Sequence, residues 1–187
     1  MLFHLLYPLH VNYSFLNVFK YITFRTFGAM ITSVLLCMFV GPAYIKLLER
    51  KQMGQAIRDD GPKSHLSKKG TPTMGGGLII LAINIPTLLW SDLTNKNIWI
   101  CVATTFLFGV IGYVDDYRKV VQKNPKGLSG KQKLLAQTLV AFAASYVIYI
   151  LRDTPPVLKF PFFKEISLYL GPFFIAFSVF VIVGASN

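Results

Sequence analysis

Two neighbouring carboxylates, Asp115 and Asp116, follow directly on an uncharged run, Ile98–Val114, and a basic segment opening with Arg118 and Lys119 comes next. The run's seventeen residues, at about 1.5 Å each, make a helix of roughly 25 Å, close to the hydrocarbon thickness of a bilayer. The pair is therefore expected at the membrane surface, at the C-terminal end of a spanning helix. That end already carries negative dipole charge, so a mere helix end is better served by Lys or Arg. The preferred reading is a carboxylate site at the lipid–water boundary. The plainer alternative is a polar stop in which Asp115 pairs with Lys119 one turn on. As oxygen ligands Asp115 and Asp116 suit Mg²⁺ rather than Zn²⁺, although two carboxylates do not complete a catalytic site.

A second group of residues suits phosphate. Lys68, Lys69, Thr71 and Thr73 stand beside Gly75–Gly77, where a second apolar run begins. A helix starting there offers free N–H groups and a positive dipole end, which fit a phosphate or pyrophosphate. The competing reading is a basic loop before a glycine-rich packing face. Gly127-Leu128-Ser129-Gly130-Lys131 followed by Gln132 is not a P-loop, so ATP is not implied. His65 reads as a turn or capping residue, and His4 and His10 carry no assignment. The segment Lys119–Lys133 can neutralise phosphates at a membrane surface, or simply mark topology and bind anionic headgroups.

The elements that must hold these residues are membrane helices. The chain of 187 residues is 53% hydrophobic and only 14% charged, with a mean hydropathy of +0.52, which excludes an ordinary soluble domain. The net charge of +11 is not spread as a nucleic-acid stripe, because thirteen of the 19 Lys and Arg lie within Lys46–Lys69 and Arg118–Lys133. Cys37 and Cys101 lie in apolar runs and read as packing residues, not as a disulfide or metal pair. No removable signal peptide is evident at the N-terminus. Spans are expected at Thr26–Ile45 (kinked at Gly41-Pro42), Met74–Ser91, Ile98–Val114, Leu134–Leu151 and Ile166–Asn187. Residues 1–25 are expected to form an outer interfacial segment. The fold expected is thus all-α, a single polytopic transmembrane domain over 1–187 with five transmembrane helices. Positive-inside places 46–73 and 115–133 in the cytoplasm and the N-terminus outside, with Trp90 and Trp99 as interface anchors. The chain stops at Asn187 without a polar tail, which reads as an interruption. Glycines such as Gly75–Gly77, Gly109 and Gly112 are expected to pack against helices beyond this chain.

Four motifs carry a resemblance: Ser64–Gly76 (Ser-His-Leu-Ser-Lys-Lys-Gly-Thr-Pro-Thr-Met-Gly-Gly), Gly112–Lys119 (Gly-Tyr-Val-Asp-Asp-Tyr-Arg-Lys), Lys126-Gly127-Leu128 and Pro161-Phe162-Phe163-Lys164. In that order they resemble the phospho-N-acetylmuramoyl-pentapeptide transferase (MraY) family, over about its first half. The resemblance implies a bacterial inner-membrane, multi-pass enzyme of ten helices in peptidoglycan synthesis, with its active site on the cytoplasmic face. It implies transfer of phospho-MurNAc-pentapeptide from UDP to undecaprenyl phosphate, giving lipid I and UMP with Mg²⁺, by direct attack or through an aspartyl–phosphate. Partners are then undecaprenyl phosphate, UDP-MurNAc-pentapeptide and membrane lipid, without nucleic acid, and a homodimer is admitted. By the same resemblance Asp115 and Asp116 are the catalytic and metal-binding aspartates. Lys68, Thr73, Lys119, Lys133 and Asn187 then lie near the phosphates, Asn187 opening an Asn- and Asp-rich motif that would continue downstream. On that basis the chain alone is expected to insert into membranes without making lipid I. The alternatives are a sibling polyprenyl-phosphate sugar-1-phosphate transferase using another UDP-sugar, and a non-catalytic membrane protein that binds anionic lipid.

Overall fold

The computed structural model describes residues 1–50, 74–121, 127–159 and 167–186. The described chain is helical almost throughout, as a polytopic membrane protein requires, since lipid leaves no solvent to satisfy open backbone groups. It divides into two compact units, Met1–Ser129 and Gly130–Asn187.

The first unit opens with a short helix α1 (Leu2–Leu6) and two 3₁₀ stretches, Tyr7–Val11 and Ser14–Lys20. The long helices α2 (Ile22–Arg50), α3 (Gly76–Trp90) and α4 (Lys96–Val120) follow. Helix α2 runs through Pro42 and is longer at both ends than the expected span. Antiparallel packing of α2 on α3 depends on missing side chains. A Cβ on Gly28 would lie 2.6 Å from the Trp90 ring, one on Gly41 would touch Leu78, and one on Gly77 would overlap the Tyr44 hydroxyl. A Cβ on Gly109 would likewise overlap Ile80, which seats α3 on α4. Gly77 and Gly109 therefore pack within this chain, against the expectation that they await other helices; Gly75, Gly76 and Gly112 have open space around the Cβ position.

Helix α4 corrects the expected position of the aspartates. Asn95 caps its start by accepting the Asn97 N–H at 3.0 Å. The helix then continues past Val114 to Val120, so Asp115 and Asp116 lie inside it and not at its end. Arg118 and Lys119 occupy the last turn, where positive charge suits the helix dipole and permits the extension.

The second unit holds α5 (Gly130–Leu151), a two-stranded antiparallel ribbon of β1 (Val157–Lys159) and β2 (Ser167–Tyr169), and α6 (Phe173–Ser186). The strands pair Val157 with Tyr169, Leu158 with Leu168 and Lys159 with Ser167. The expected fifth span from Ile166 therefore starts late. Gly171 adopts a left-handed φ of +51°, Pro172 follows, and the helix begins only at Phe173. Among the described residues three helices, α2, α4 and α5, are long and apolar enough to cross a membrane; α3 and α6, with 15 and 14 residues, are shorter apolar helices.

Candidate functional site

Asp115 and Asp116 are neighbours on α4 with different surroundings. Asp115 is only 8% exposed, while Asp116 is intermediate. The Asp115 Oδ2 accepts a hydrogen bond from the Lys119 ammonium at 2.6 Å, the (i, i+4) pair anticipated as the plainer alternative. Its Oδ1 accepts the backbone N–H of Leu128 at 2.8 Å, thirteen residues along the chain. Lys119 keeps 42% of its side chain exposed, so its charge also reaches the surroundings. Tyr113 and Tyr117 stack along an exposed face of the same helix, with ring centroids 6.1 Å apart.

The glycine in Lys126-Gly127-Leu128 has a geometric reason. Gly127 has φ +60°, a left-handed conformation, and a Cβ there would overlap Asp115 Oδ1 and lie 2.7 Å from Lys119 Cε. The resemblance singled out the motif without revealing this contact, because the partner atom is a main-chain amide. A second bond missed from sequence is the Tyr44 hydroxyl donating to the Met74 carbonyl at 3.0 Å. Met74 itself is buried with φ +73°, so this contact pins an unusual backbone conformation directly before α3.

The remaining expected residues are not all brought together. Lys133 lies in the first turn of α5, in the second unit. His65, Lys68, Lys69, Thr71, Thr73 and Asn187 lie outside the described residues. Mg²⁺ takes oxygen ligands in near-ideal octahedral geometry. Both Asp115 oxygens are already engaged by an ammonium and an amide. Among the described residues no three His, Cys, Asp or Glu side chains gather as a metal site. Of the two aspartates expected to hold Mg²⁺, Asp116 is the more exposed.

The opposite end of the first unit is organised by the turn between α3 and α4. Asp92 accepts from the Thr94 hydroxyl at 2.7 Å and the Thr94 N–H at 3.0 Å. His4 Nε2 accepts the Leu93 N–H at 3.0 Å and lies 3.2 Å from Asp92 Oδ1. The Thr94 hydroxyl bond is the main reason the Asp92 carboxyl is held below the ordinary carboxylate range; burial opposes it, and the Thr94 amide, His4 and Arg25 assist. The Met1 amine donates to the Leu88 carbonyl at 2.9 Å, and partial burial lowers its pKa against the pull of Asp92. Trp90, expected as an interface anchor, lies in the Gly28 notch, donates to Thr32 Oγ1 at 2.9 Å and stacks on Phe19. Trp99 is exposed and donates to the Leu93 carbonyl at 2.9 Å.

Comparison with known proteins agrees with the motifs. Residues 98–187 match the model of glycosyl transferase family 4. Over all 187 residues the chain is 53% identical to the phospho-N-acetylmuramoyl-pentapeptide-transferase of Geobacter sp. (strain M21) and 53% identical to that of Citrifermentans bemidjiense. It is 49% identical to the enzyme of the same name from Syntrophus aciditrophicus. In each case the match covers 100% of this chain and 52% of the relative, so the chain spans about half the length of the curated relatives it matches. Through its entire length, then, the chain is similar to phospho-N-acetylmuramoyl-pentapeptide transferases, over about half of theirs.

Proposed function

We propose that the chain supplies the aspartate half of a membrane phosphoglycosyl transferase that moves phospho-MurNAc-pentapeptide from UDP to undecaprenyl phosphate. The observation that carries this reading is a carboxylate pair and a half-exposed lysine grouped near one end of a spanning apolar helix. A site at that depth suits a reaction between one lipid-borne phosphate and one water-borne diphosphate. The names of the relatives supply the transferred group, phospho-N-acetylmuramoyl-pentapeptide; UDP and undecaprenyl phosphate are what the resemblance of the motifs implies.

In the proposed reaction a phosphate oxygen of undecaprenyl phosphate attacks the phosphorus that carries the sugar. The bond from that phosphorus to the uridylyl oxygen breaks, releasing UMP and leaving a lipid-linked diphosphate, lipid I. Charge builds on the bridging and leaving oxygens, and fixed positive charge is the main stabiliser available to such a centre. Lys119 is the described cation at the carboxylates, and Lys68, Lys133, Thr73 and Asn187 are proposed as further phosphate contacts. Asp116 is proposed to orient the attacking lipid phosphate, or to take its proton. Mg²⁺, when bound, would add charge neutralisation at the diphosphate, and Asp116 is the side chain proposed to meet it. The two basic segments, 46–73 and 115–133, are proposed to face the cytoplasm of a bacterial inner membrane, where the UDP-sugar is found.

The test is formation of lipid I and UMP from UDP-MurNAc-pentapeptide and undecaprenyl phosphate. It is run in membranes holding the chain alone, and again with the remaining half of the Geobacter relative supplied as a second chain. Product is expected from the paired chains. No product there, while the intact relative is active, counts against the reading.

A further inference from the structure

Adjacent aspartates need not share one task, and these two have different environments. One helical step, about 100°, separates their directions, which turns Asp115 into the protein and leaves Asp116 less covered. Both oxygens of Asp115 are occupied: Oδ2 by the Lys119 ammonium at 2.6 Å, Oδ1 by the Leu128 amide at 2.8 Å. A carboxylate that attacks phosphorus or takes a proton must aim a lone pair at the substrate. To do so, Asp115 would have to release an ammonium or expose a main-chain N–H, and losing such a partner in a buried place is unfavourable.

The surrounding chain is shaped for this arrangement. Gly127 takes φ +60° and approaches so closely that a Cβ would overlap Asp115 Oδ1 and crowd Lys119 at Cε and Cγ. Only glycine serves there on both counts, conformation and space. The carboxylate, the lysine, the glycine and the Leu128 amide thus form one fastening between the end of α4 and the returning segment at 127–128.

We propose that Asp115 is a positioning residue, a latch that fastens the returning segment at Gly127-Leu128 onto α4 and holds the Lys119 ammonium in place. Its effect on turnover rests on the transferase reading above; the latch itself does not.

The test reads amide hydrogen exchange at Leu128 in the full 187-residue chain in lipid nanodiscs, together with the turnover of paired chains. Asp115→Ala should speed Leu128 exchange by about tenfold or more, as expected when a local closing contact is removed. Gly127→Ala should reproduce that effect, whereas Asp116→Ala should leave the amide within about twofold of wild type. In the turnover assay, Asp115→Asn keeps an oxygen for the Leu128 amide and should recover activity well above Asp115→Ala. Asp116→Asn should show no comparable recovery over Asp116→Ala. Unchanged Leu128 exchange in both Asp115→Ala and Gly127→Ala overturns the latch. An Asp115→Asn variant no more active than Asp115→Ala overturns its positioning role. Should wild-type paired chains make no lipid I, the transferase reading fails and the exchange data still decide the latch.

Discussion

At the Trp90 end of the first unit, the Met1 amine, His4, Asp92, Trp90 and Trp99 are all hydrogen-bonded within a few residues of the α3–α4 turn. At the other end the tertiary side-chain bonds of the described residues centre on Tyr44 with Met74, and Asp115 with Leu128. The first end spends its polar groups on closing a turn and fixing aromatic rings. The second keeps a lysine and a carboxylate only partly covered. The contrast in coverage suggests where stability and chemistry divide. Substitutions at the Trp90 end should lower stability, and substitutions at the aspartate end should lower turnover.

The largest effect should come from Asp116→Asn, cutting turnover of the paired chains by at least about a hundredfold, the scale for losing an acid–base or electrostatic group. Thermal unfolding in detergent should barely move. Near-wild-type turnover would remove the functional half of the contrast. Next, Gly28→Leu forces side-chain atoms into the Trp90 ring, and overpacking of this kind costs about 1–3 kcal/mol. Its apparent melting temperature should fall while residual turnover per folded molecule stays high; an unchanged melting temperature would mean that α2 and α3 do not seat as described.

A smaller effect is expected from Tyr44→Phe, which removes one donor from the Met74 carbonyl and should cost about 0.5–1.5 kcal/mol in chemical denaturation. The smallest concerns pH. Asp92 has a depressed folded-state pKa, so its contribution is fully present above the unfolded value and is lost as pH falls through the folded one. Protection of the Thr94 amide should therefore persist through neutral and mildly acidic pH and fade only below the usual carboxylate range. Asp92→Asn should remove that acid dependence, and an acid transition unchanged in Asp92→Asn would assign it elsewhere.

The apolar helices were legible because long apolar runs in lipid have little choice but helix, although only α2, α4 and α5 of those described are long enough to cross. Their limits were less so. Val114 looked like the end of α4 because charge begins at Asp115, yet Asp, Tyr, Arg and Lys can all continue a helix whose Lys119 answers Asp115 one turn away. The Asp115–Lys119 pair was readable from four-residue spacing; the Leu128 bond was not, since a backbone donor leaves no mark in side-chain order. Trp90 looked like an interface anchor because its packing partner Gly28 is remote in sequence. The Val157–Tyr169 ribbon was hidden for a related reason, because three-residue strands leave too short an alternation to recognise.

Helix α4 also acts as a ruler. Asp115 stands nineteen residues beyond Lys96, about 28 Å along the axis, while the full helix is about 37 Å long. Against a hydrocarbon layer of about 30 Å, this sets the carboxylates close to its boundary and carries Arg118 and Lys119 toward the headgroups. In the proposed reaction, the height at which a lipid phosphate would meet Asp116 is then fixed by the membrane as much as by the protein. A thicker bilayer draws the carboxylates below the phosphate plane unless the helix straightens or the lipid thins around it, and a thinner one lifts them into water. Bilayer thickness thereby becomes a setting of the site.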